Sequence, residues 1–190
     1  VSNMALSKIT SASTSGSGFG SNIKEQLDML CDGNNYTVSS GTYTAANVTA
    51  LQNFTTSYAD LTGSSISYTP PSGTTMVSYK FVFAYVFDDS YGLSHFKFFV
   101  DSNEVTKARV TLGANANPQW LQTFEYLLPV GGSADTTTGR QATWTSAKTL
   151  KIQAREYADA NEGIAHSTHH WDGTASAQFH MPKLIITALG

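Results

Sequence analysis

Three of the five histidines in this 190-residue chain could converge on a metal ion. His166 and His170 are four residues apart and would share one face of an extended strand, and His180 could reach that face across a hairpin. Imidazole nitrogens suit Zn²⁺ and Ni²⁺. The pattern therefore gives a candidate metal site at His166, His170 and His180. A surface strand that carries histidines without a metal is the alternative.

The other reactive side chains do not form a catalytic pattern. Asp88 and Asp89 could bind a cation, but adjacent residues on a strand face opposite ways, and a solvated turn is the alternative. The sequence contains no Gly-x-Ser-x-Gly elbow, no phosphate-binding loop and no His-Glu-x-x-His motif. We therefore expect a protein that is not an enzyme and that uses no cofactor. A cupin-like enzyme with the late histidines as ligands remains an alternative.

Four aromatic residues at predicted loops or strand ends could instead bind a sugar. They are Tyr91, Trp120, Trp144 and Trp171. Tryptophan rings stack on sugar faces and dominate small contact patches, so a glycan site is physically possible. Packing in a core or in an interface is the alternative for each of them.

Composition limits the kinds of partner. Charged residues are 13% of the chain, about half the usual fraction, and the net charge of −3 leaves no basic surface for nucleic acid. No apolar run approaches the length needed to cross a bilayer, so we expect no membrane insertion. The single cysteine, Cys31, cannot form an internal disulfide and is expected to be a buried apolar group on a helix.

The elements that must position these residues begin with a long aromatic strand predicted at 75–87. Val77, Tyr79, Phe81 and their successors alternate with a second face that contains Met76, Val82 and Val86. Because neither face is clearly polar, we expect the second face to be buried against another subunit. Met76, Val82 and Val86 are therefore candidate interface residues.

The amino-terminal part reads as an attachment region. We expect Met4 to be the natural start, with Val1 to Asn3 derived from a vector, and residues 1–20 to form a segment with a Ser- and Gly-rich linker. Residues 21–33 are predicted to form a short amphipathic helix, with Ser21 as its cap and Gly33 at its end. Its apolar stripe would dock on the chain's own sheets or join an oligomer interface; it comprises Ile23, Leu27 and Leu30.

Residues 34–190 read as a β head domain. Short strands are predicted at 48–54, 58–61, 64–68, 75–87, 94–100, 107–112, 121–128 and 149–157, followed by a pair at 166–171 and 174–189. Turn residues separate them, and Asp172-Gly173 would join the last pair as a hairpin. We therefore predict a mainly β protein, an antiparallel β-sandwich of the knob-like jelly-roll kind, preceded by the short helix.

The sequence also resembles a family of virion proteins. The stretch Met4-Ala-Leu-Ser-Lys-Ile-Thr10 resembles the start of marine phage virion and fibre proteins. The body resembles structural proteins of marine cyanophages, pelagiphages and algal viruses. This likeness is carried by residues 63–73, 94–98, 138–144, 150–157 and 171–173. The resemblance implies a noncatalytic virion component with a trimeric jelly-roll head, like fibre knobs, and it assigns no functional residue.

Two functions from different classes follow. In the first, the chain is a fibre, knob or capsid-decorating subunit that is made in the host cytoplasm, assembles as a homotrimer with other virion proteins and adheres to host surface glycans. In the second, it is a carbohydrate-binding module or lectin that acts through the loop aromatics. The oligomeric state would discriminate between them.

Overall fold

The computed structural model describes residues 22–87, 91–115, 119–158, 163–168 and 179–190. Within these ranges the chain is almost entirely antiparallel strand, and its helical structure is a 3₁₀ turn at Thr106–Ala108. The prediction of a mainly β, antiparallel protein is confirmed. No helix of the described part is long and apolar enough to span a bilayer.

Six strands form the first sheet, called sheet A. They are β1 (Ile23–Leu30), β4 (Gln52–Asn53), β7 (Met76–Phe87), β11 (Gln119–Pro129), β13 (Gly163–Ala165) and β14 (Lys183–Leu189). The long strand β7 is central, with β11 along one side and with β14 and β13 following one another along the other. β1 pairs with the far side of β14, and β4 with the far side of β13.

Six further strands form sheet B. They are β5 (Ala59–Asp60), β6 (Ile66–Tyr68), β8 (Tyr91–Val100), β9 (Asn103–Glu104), β10 (Val110–Asn115) and β12 (Lys148–Glu156). β8 lies between β10 and β12. A separate hairpin is formed by β2 (Asn35–Val38) and β3 (Gly41–Thr44).

The core contains aromatic side chains from both sheets. The ring centroids of Tyr79 on β7 and Phe98 on β8 are 4.8 Å apart, and those of Phe98 and Phe124 are 5.6 Å apart. These tilted contacts bury large apolar areas, which is the main source of stability for a fold without disulfides. The aromatic face of the predicted 75–87 strand therefore packs inside the molecule, because alternation placed every second ring on the same side.

The predicted helix at 21–33 is wrong, because residues 23–30 form strand β1. The same segment also fits a second pattern, of period two. In this pattern Glu25, Leu27 and Met29 point inward and are buried. A short helix has little stability in water by itself, whereas β1 gains a full backbone ladder with β14.

Most other predicted strands lie close to observed ones, with differences at their ends. The predicted strand 166–171 is not a strand at 166–168, the predicted strand 174–189 is observed as Lys183–Leu189, and the hairpin of β2 and β3 was not predicted. The predicted strand 48–54 is reduced to Gln52–Asn53, and the predicted strand 107–112 begins as the 3₁₀ turn before β10. The predicted Asp172-Gly173 turn lies outside the described residues. On either side of it, Ser167 and Phe179 form an antiparallel bridge, as expected for a chain that folds back on itself.

Candidate functional site

The outward face of sheet A, called the outer face, carries most of the candidate interface residues. Backbone pairing places Ile23, Leu189, Met76 and Pro129 in one row across β1, β14, β7 and β11. The same pairing puts Leu30 in a row with Lys183. The structure thus brings five of the six candidates to one face, because Leu27 alone points into the core; the five are Ile23, Leu30, Met76, Val82 and Val86.

Large apolar side chains are exposed on this outer face. Leu121 is 58% exposed and Leu127 is 48% exposed, both on β11, while Ile23 and Leu30 on β1 are each 49% exposed. These residues lie on the two edge strands, and a row that contains Asp28, Lys80 and Glu125 runs between them. The outer face therefore offers two separate apolar strips, one along each edge, to a partner.

Two candidate interface residues are covered by the chain itself. Val82 is only 6% exposed and Val86 is fully buried, although both point to the outer face. A partner could therefore meet the two edge strands of the outer face, at Leu30 on β1 and Leu127 on β11, more readily than its centre. Met76 is partly buried.

An ion pair crosses the middle of the outer face. The ammonium group of Lys80 lies 3.1 Å from a carboxylate oxygen of Glu125 on the neighbouring strand. Both side chains are largely exposed, so the pair contributes little to stability. It does leave this part of the face electrically neutral.

The histidine candidates are only partly brought together. The backbone N–H of His180 donates to the carbonyl oxygen of His166 at 2.7 Å, so these two residues are neighbours. His170 lies outside the described residues. Within the described ranges, no three His, Cys, Asp or Glu side chains come together as a possible metal site.

The geometry of His166 fixes its tautomer. Its Nε2 lies 3.0 Å from the carbonyl oxygen of Thr62, which can only accept, so Nε2 carries the proton. In the neutral ring Nδ1 therefore carries a lone pair. In the described part of the chain neither this atom nor Nδ1 of His180 has a hydrogen-bond partner. Burial also lowers the pKa of His166 to about 4, which keeps the ring neutral.

A serine and a carboxylate meet inside the molecule, which sequence reasoning missed. The Tyr85 hydroxyl donates to Oγ of Ser94 at 2.5 Å, and Ser94 in turn donates to Glu156. Ser94 is fully buried and Glu156 is 1% exposed, so a substrate in solution cannot reach them. Their role is to satisfy polar groups between the two sheets. No sequence signal marks the contact, because 62 residues separate Ser94 from Glu156.

A second buried carboxylate was also missed. Glu25 on β1 accepts hydrogen bonds from Oγ of Ser39 at 2.5 Å, Oγ of Ser40 at 2.6 Å and the hydroxyl of Tyr68 at 2.8 Å. Burial opposes its charge, but these bonds outweigh burial and hold the pKa of Glu25 below its ordinary value. The arrangement is structural, since every contact is made by the protein's own groups.

The candidate sugar-binding aromatics are dispersed. Trp120 packs against Tyr85, with ring centroids 5.3 Å apart, and Trp144 is buried with Nε1 donating to the Tyr68 carbonyl at 3.1 Å. Trp171, the side chain of Tyr91 and the Asp88-Asp89 pair lie outside the described residues. The structure therefore does not bring Trp120 and Trp144 to one exposed patch.

Trp144 nevertheless forms one wall of an open cavity of about 280 Å³. The Pro70-Pro71-Ser72-Gly73 turn and Thr145 also line this cavity. A cavity of this size, with both apolar and hydroxyl groups, can hold one small polar ligand.

Comparison with known proteins gives only distant similarity. No family model matches the chain, and no curated protein matches it. A chain in the structure of infectious bursal disease virus Gx strain is 11% identical, with a TM-score of 0.36, over 87% of this chain and 37% of that chain. A chain in the Gt strain structure is 12% identical, with a TM-score of 0.23, over 83% and 43%. This chain spans less than half of either viral chain, so function has to be inferred from its own residues.

Proposed function

We propose that this chain is a noncatalytic structural protein of a virus particle, either an appendage subunit or a capsid-decorating subunit. Assembly with other copies and with other virion proteins is then its activity. The observation that carries the proposal is the set of exposed leucines along the two edges of the outer face, where Leu30, Leu121 and Leu127 face solvent. The resemblance of the sequence to marine virion proteins points in the same direction.

The buried positions of its reactive groups support a noncatalytic role. The Ser94 hydroxyl and the Glu156 carboxylate that it contacts are closed off in the core, and the neutral His166 ring is bound to a backbone carbonyl. These groups therefore stabilise the fold in the described part of the chain.

We extend the proposal to a homotrimer that associates through the outer face and displays loops to host glycans. Leu30→Glu should then lower the mass of the full chain in sedimentation equilibrium, because a carboxylate would be buried in an apolar contact. Leu93→Glu on sheet B is the matched control, since Leu93 is 41% exposed. An unchanged mass for Leu30→Glu would remove the outer face as the interface.

Membership of a particle needs a separate test. Peptides of this chain should be recovered by mass spectrometry from purified, protease-washed particles of the virus that encodes it. Their absence from such particles, with other virion proteins present, would overturn the proposal.

A lectin role is the second candidate, and the cavity beside Trp144 favours it. Full-length protein should then bind a defined sugar on a glycan array. Thr145→Arg, which would place a larger, charged side chain at a residue that lines the cavity, should abolish that binding. Binding that survives Thr145→Arg would place the sugar elsewhere. No binding to any glycan would remove this candidate.

A further inference from the structure

Strand β11 forms an open edge of sheet A. Among the described residues it pairs only with β7, and its residues at 119, 121, 123, 125 and 127 are exposed. An edge strand of this length presents a row of backbone donors and acceptors that can pair with another strand. Natural proteins usually protect such edges with lysine, proline or a bulge. Between 119 and 128, β11 has none of these.

The pairing with β7 determines which backbone groups point outward. The N–H of Val130 donates to the carbonyl of Thr75 at 2.8 Å, in line with the β11–β7 register. In an antiparallel ladder, alternate residues direct both backbone groups to the partner strand and the others direct both away. The N–H of Val130 points to β7, so the odd-numbered residues point theirs the other way. The N–H and C=O groups at 121, 123, 125 and 127 therefore face the open edge.

The available part of this edge ends at Pro129. Its carbonyl already accepts from the N–H of Gln141 at 3.0 Å. This bond also shows that the odd-numbered residues of β11 direct their backbone groups away from β7. The carbonyl of Thr123 accepts from the side-chain amide of Gln122 at 2.9 Å, a local bond that an incoming strand would replace. The open stretch therefore centres on Phe124.

We propose that β11 pairs with β11 of a second copy, antiparallel and centred on Phe124. The two sheets A would then form one continuous sheet across a twofold axis, a contact that joins copies in pairs and is separate from the threefold outer-face contact proposed above. In this register Leu121 of each copy lies opposite Leu127 of the other, so both exposed leucines gain an apolar partner on the outer face. The backbone N–H and C=O groups of residues 121, 123, 125 and 127 all point to the open edge. The pairs 121–127 and 123–125 therefore each exchange two backbone hydrogen bonds.

Charges also agree with this register. Glu125 lies opposite Thr123 of the second copy, so no like charges face each other directly. Within each copy the Glu125 carboxylate is already paired with Lys80 at 3.1 Å. A second copy of this chain is therefore the partner that the edge fits, by both its apolar pattern and its charge.

The pairing deepens the proposed assembly role and rests on that role for its biological use. Its test is independent of any virus. Full-length chain is examined by sedimentation equilibrium as three variants: Leu121→Lys with Leu127→Lys, Leu121→Lys with Leu127→Glu, and Leu93→Lys as the control. The two edge positions are largely exposed, so the substitutions should leave the fold intact, which circular dichroism checks.

The register makes a specific prediction for these variants. The double lysine variant places like charges opposite each other and should raise the dimer dissociation constant roughly tenfold or more. The lysine and glutamate variant places opposite charges together and should recover most of that loss, while the control should match the unmodified chain. Equal weakening of both double variants, or a monomer throughout, would overturn the pairing.

Cysteine cross-linking tests the register directly. Leu121→Cys and Leu127→Cys should form a disulfide when the two variants are mixed, because paired α-carbons in this register lie about 5.5 Å apart. Neither variant alone should do so, since like positions are offset by roughly 20 Å along the strand. Cross-links within one variant, or none in the mixture, would also overturn the pairing. Association without these cross-links would leave the outer-face proposal standing, and absence from particles would remove the virion role alone.

Discussion

The hydroxyl of Tyr68 donates a hydrogen bond of 2.8 Å to the carboxylate of Glu25, and this bond joins the two sheets. Glu25 lies on β1 of sheet A, and Tyr68 lies on β6 of sheet B. The same carboxylate accepts from the hairpin turn at Ser39 and Ser40. One buried charge therefore fixes three parts of the fold that are far apart in sequence.

Replacing this carboxylate should destabilise the protein. Glu25→Gln removes the charge from several short hydrogen bonds, and we expect the free energy of unfolding to fall by about 1–3 kcal/mol in urea titrations. Asp28→Asn on the exposed face of the same strand is the control, with little expected change. Equal effects of the two substitutions would mean that the Glu25 network does not stabilise the fold.

The same carboxylate predicts a pH effect. The pKa of Glu25 is lower in the folded protein than its ordinary value of 4.5, so the unfolded chain takes up the proton first as the pH falls. Its stabilising contribution is therefore present above pH 4.5 and is lost as the pH falls through the folded pKa. The stability difference between the unmodified chain and Glu25→Gln should shrink in acid, and a constant difference would contradict this assignment.

His166 predicts a second loss of stability at a higher pH. Its pKa is lowered from 6.5 to about 4 by burial, so the unfolded chain binds the proton between these values while the folded chain does not. Stability should be full above pH 6.5 and should fall progressively toward pH 4, by an amount on the order of 3 kcal/mol.

A substitution at position 166 must tolerate a left-handed backbone, since φ of His166 is 63°. Asparagine adopts this conformation more readily than other residues, so His166→Asn is the suitable variant. Its unfolding free energy should show a smaller slope between pH 4 and 6.5. An unchanged slope would assign the effect to other groups.

Gly163 should not accept a larger side chain. A β-carbon there would overlap the Glu156 carboxylate and lie 2.6 Å from Oγ of Ser94 and 2.9 Å from the Tyr85 hydroxyl. Gly163→Ala should therefore destabilise the fold by about 2 kcal/mol or more in thermal or urea unfolding. Gly113→Ala is the control, because its β-carbon would meet only the end of the exposed Leu93 side chain. A neutral Gly163→Ala would show that this buried cluster is loosely packed.

Cys31 should be unreactive in the folded protein. Burial, with a smaller effect from the charge of Asp32, raises the pKa of its thiol to about 12, and Sγ lies 3.5 Å from the carbonyl of Gly63. Because the thiolate is the nucleophile, a thiol reagent at pH 8 should react slowly with native protein and rapidly in denaturant. Rapid reaction in the native state would mean that β1 opens readily at its end.

The sequence by itself determined the long central strands and the aromatic core. The alternation of Tyr79, Phe81 and Phe83 predicts a strand with one buried aromatic face, because successive side chains in extended backbone point opposite ways. Glycine- and proline-rich turns marked most of the strand boundaries. These signals are local, so they can be read without knowing which strands are neighbours.

Only the tertiary structure decided the identity of β1, the buried polar clusters and the open edge. Residues 23–30 fit both a helical and an extended pattern, and the ladder with β14, more than 150 residues later, selects the strand. Glu25 and Tyr68, or Ser94 and Glu156, meet through pairings between distant segments, which side-chain alternation does not specify. The edge at Leu121 and Leu127 likewise exists because, within the described ranges, β11 has a neighbour on one side only, which is a property of strand order and not of any single segment.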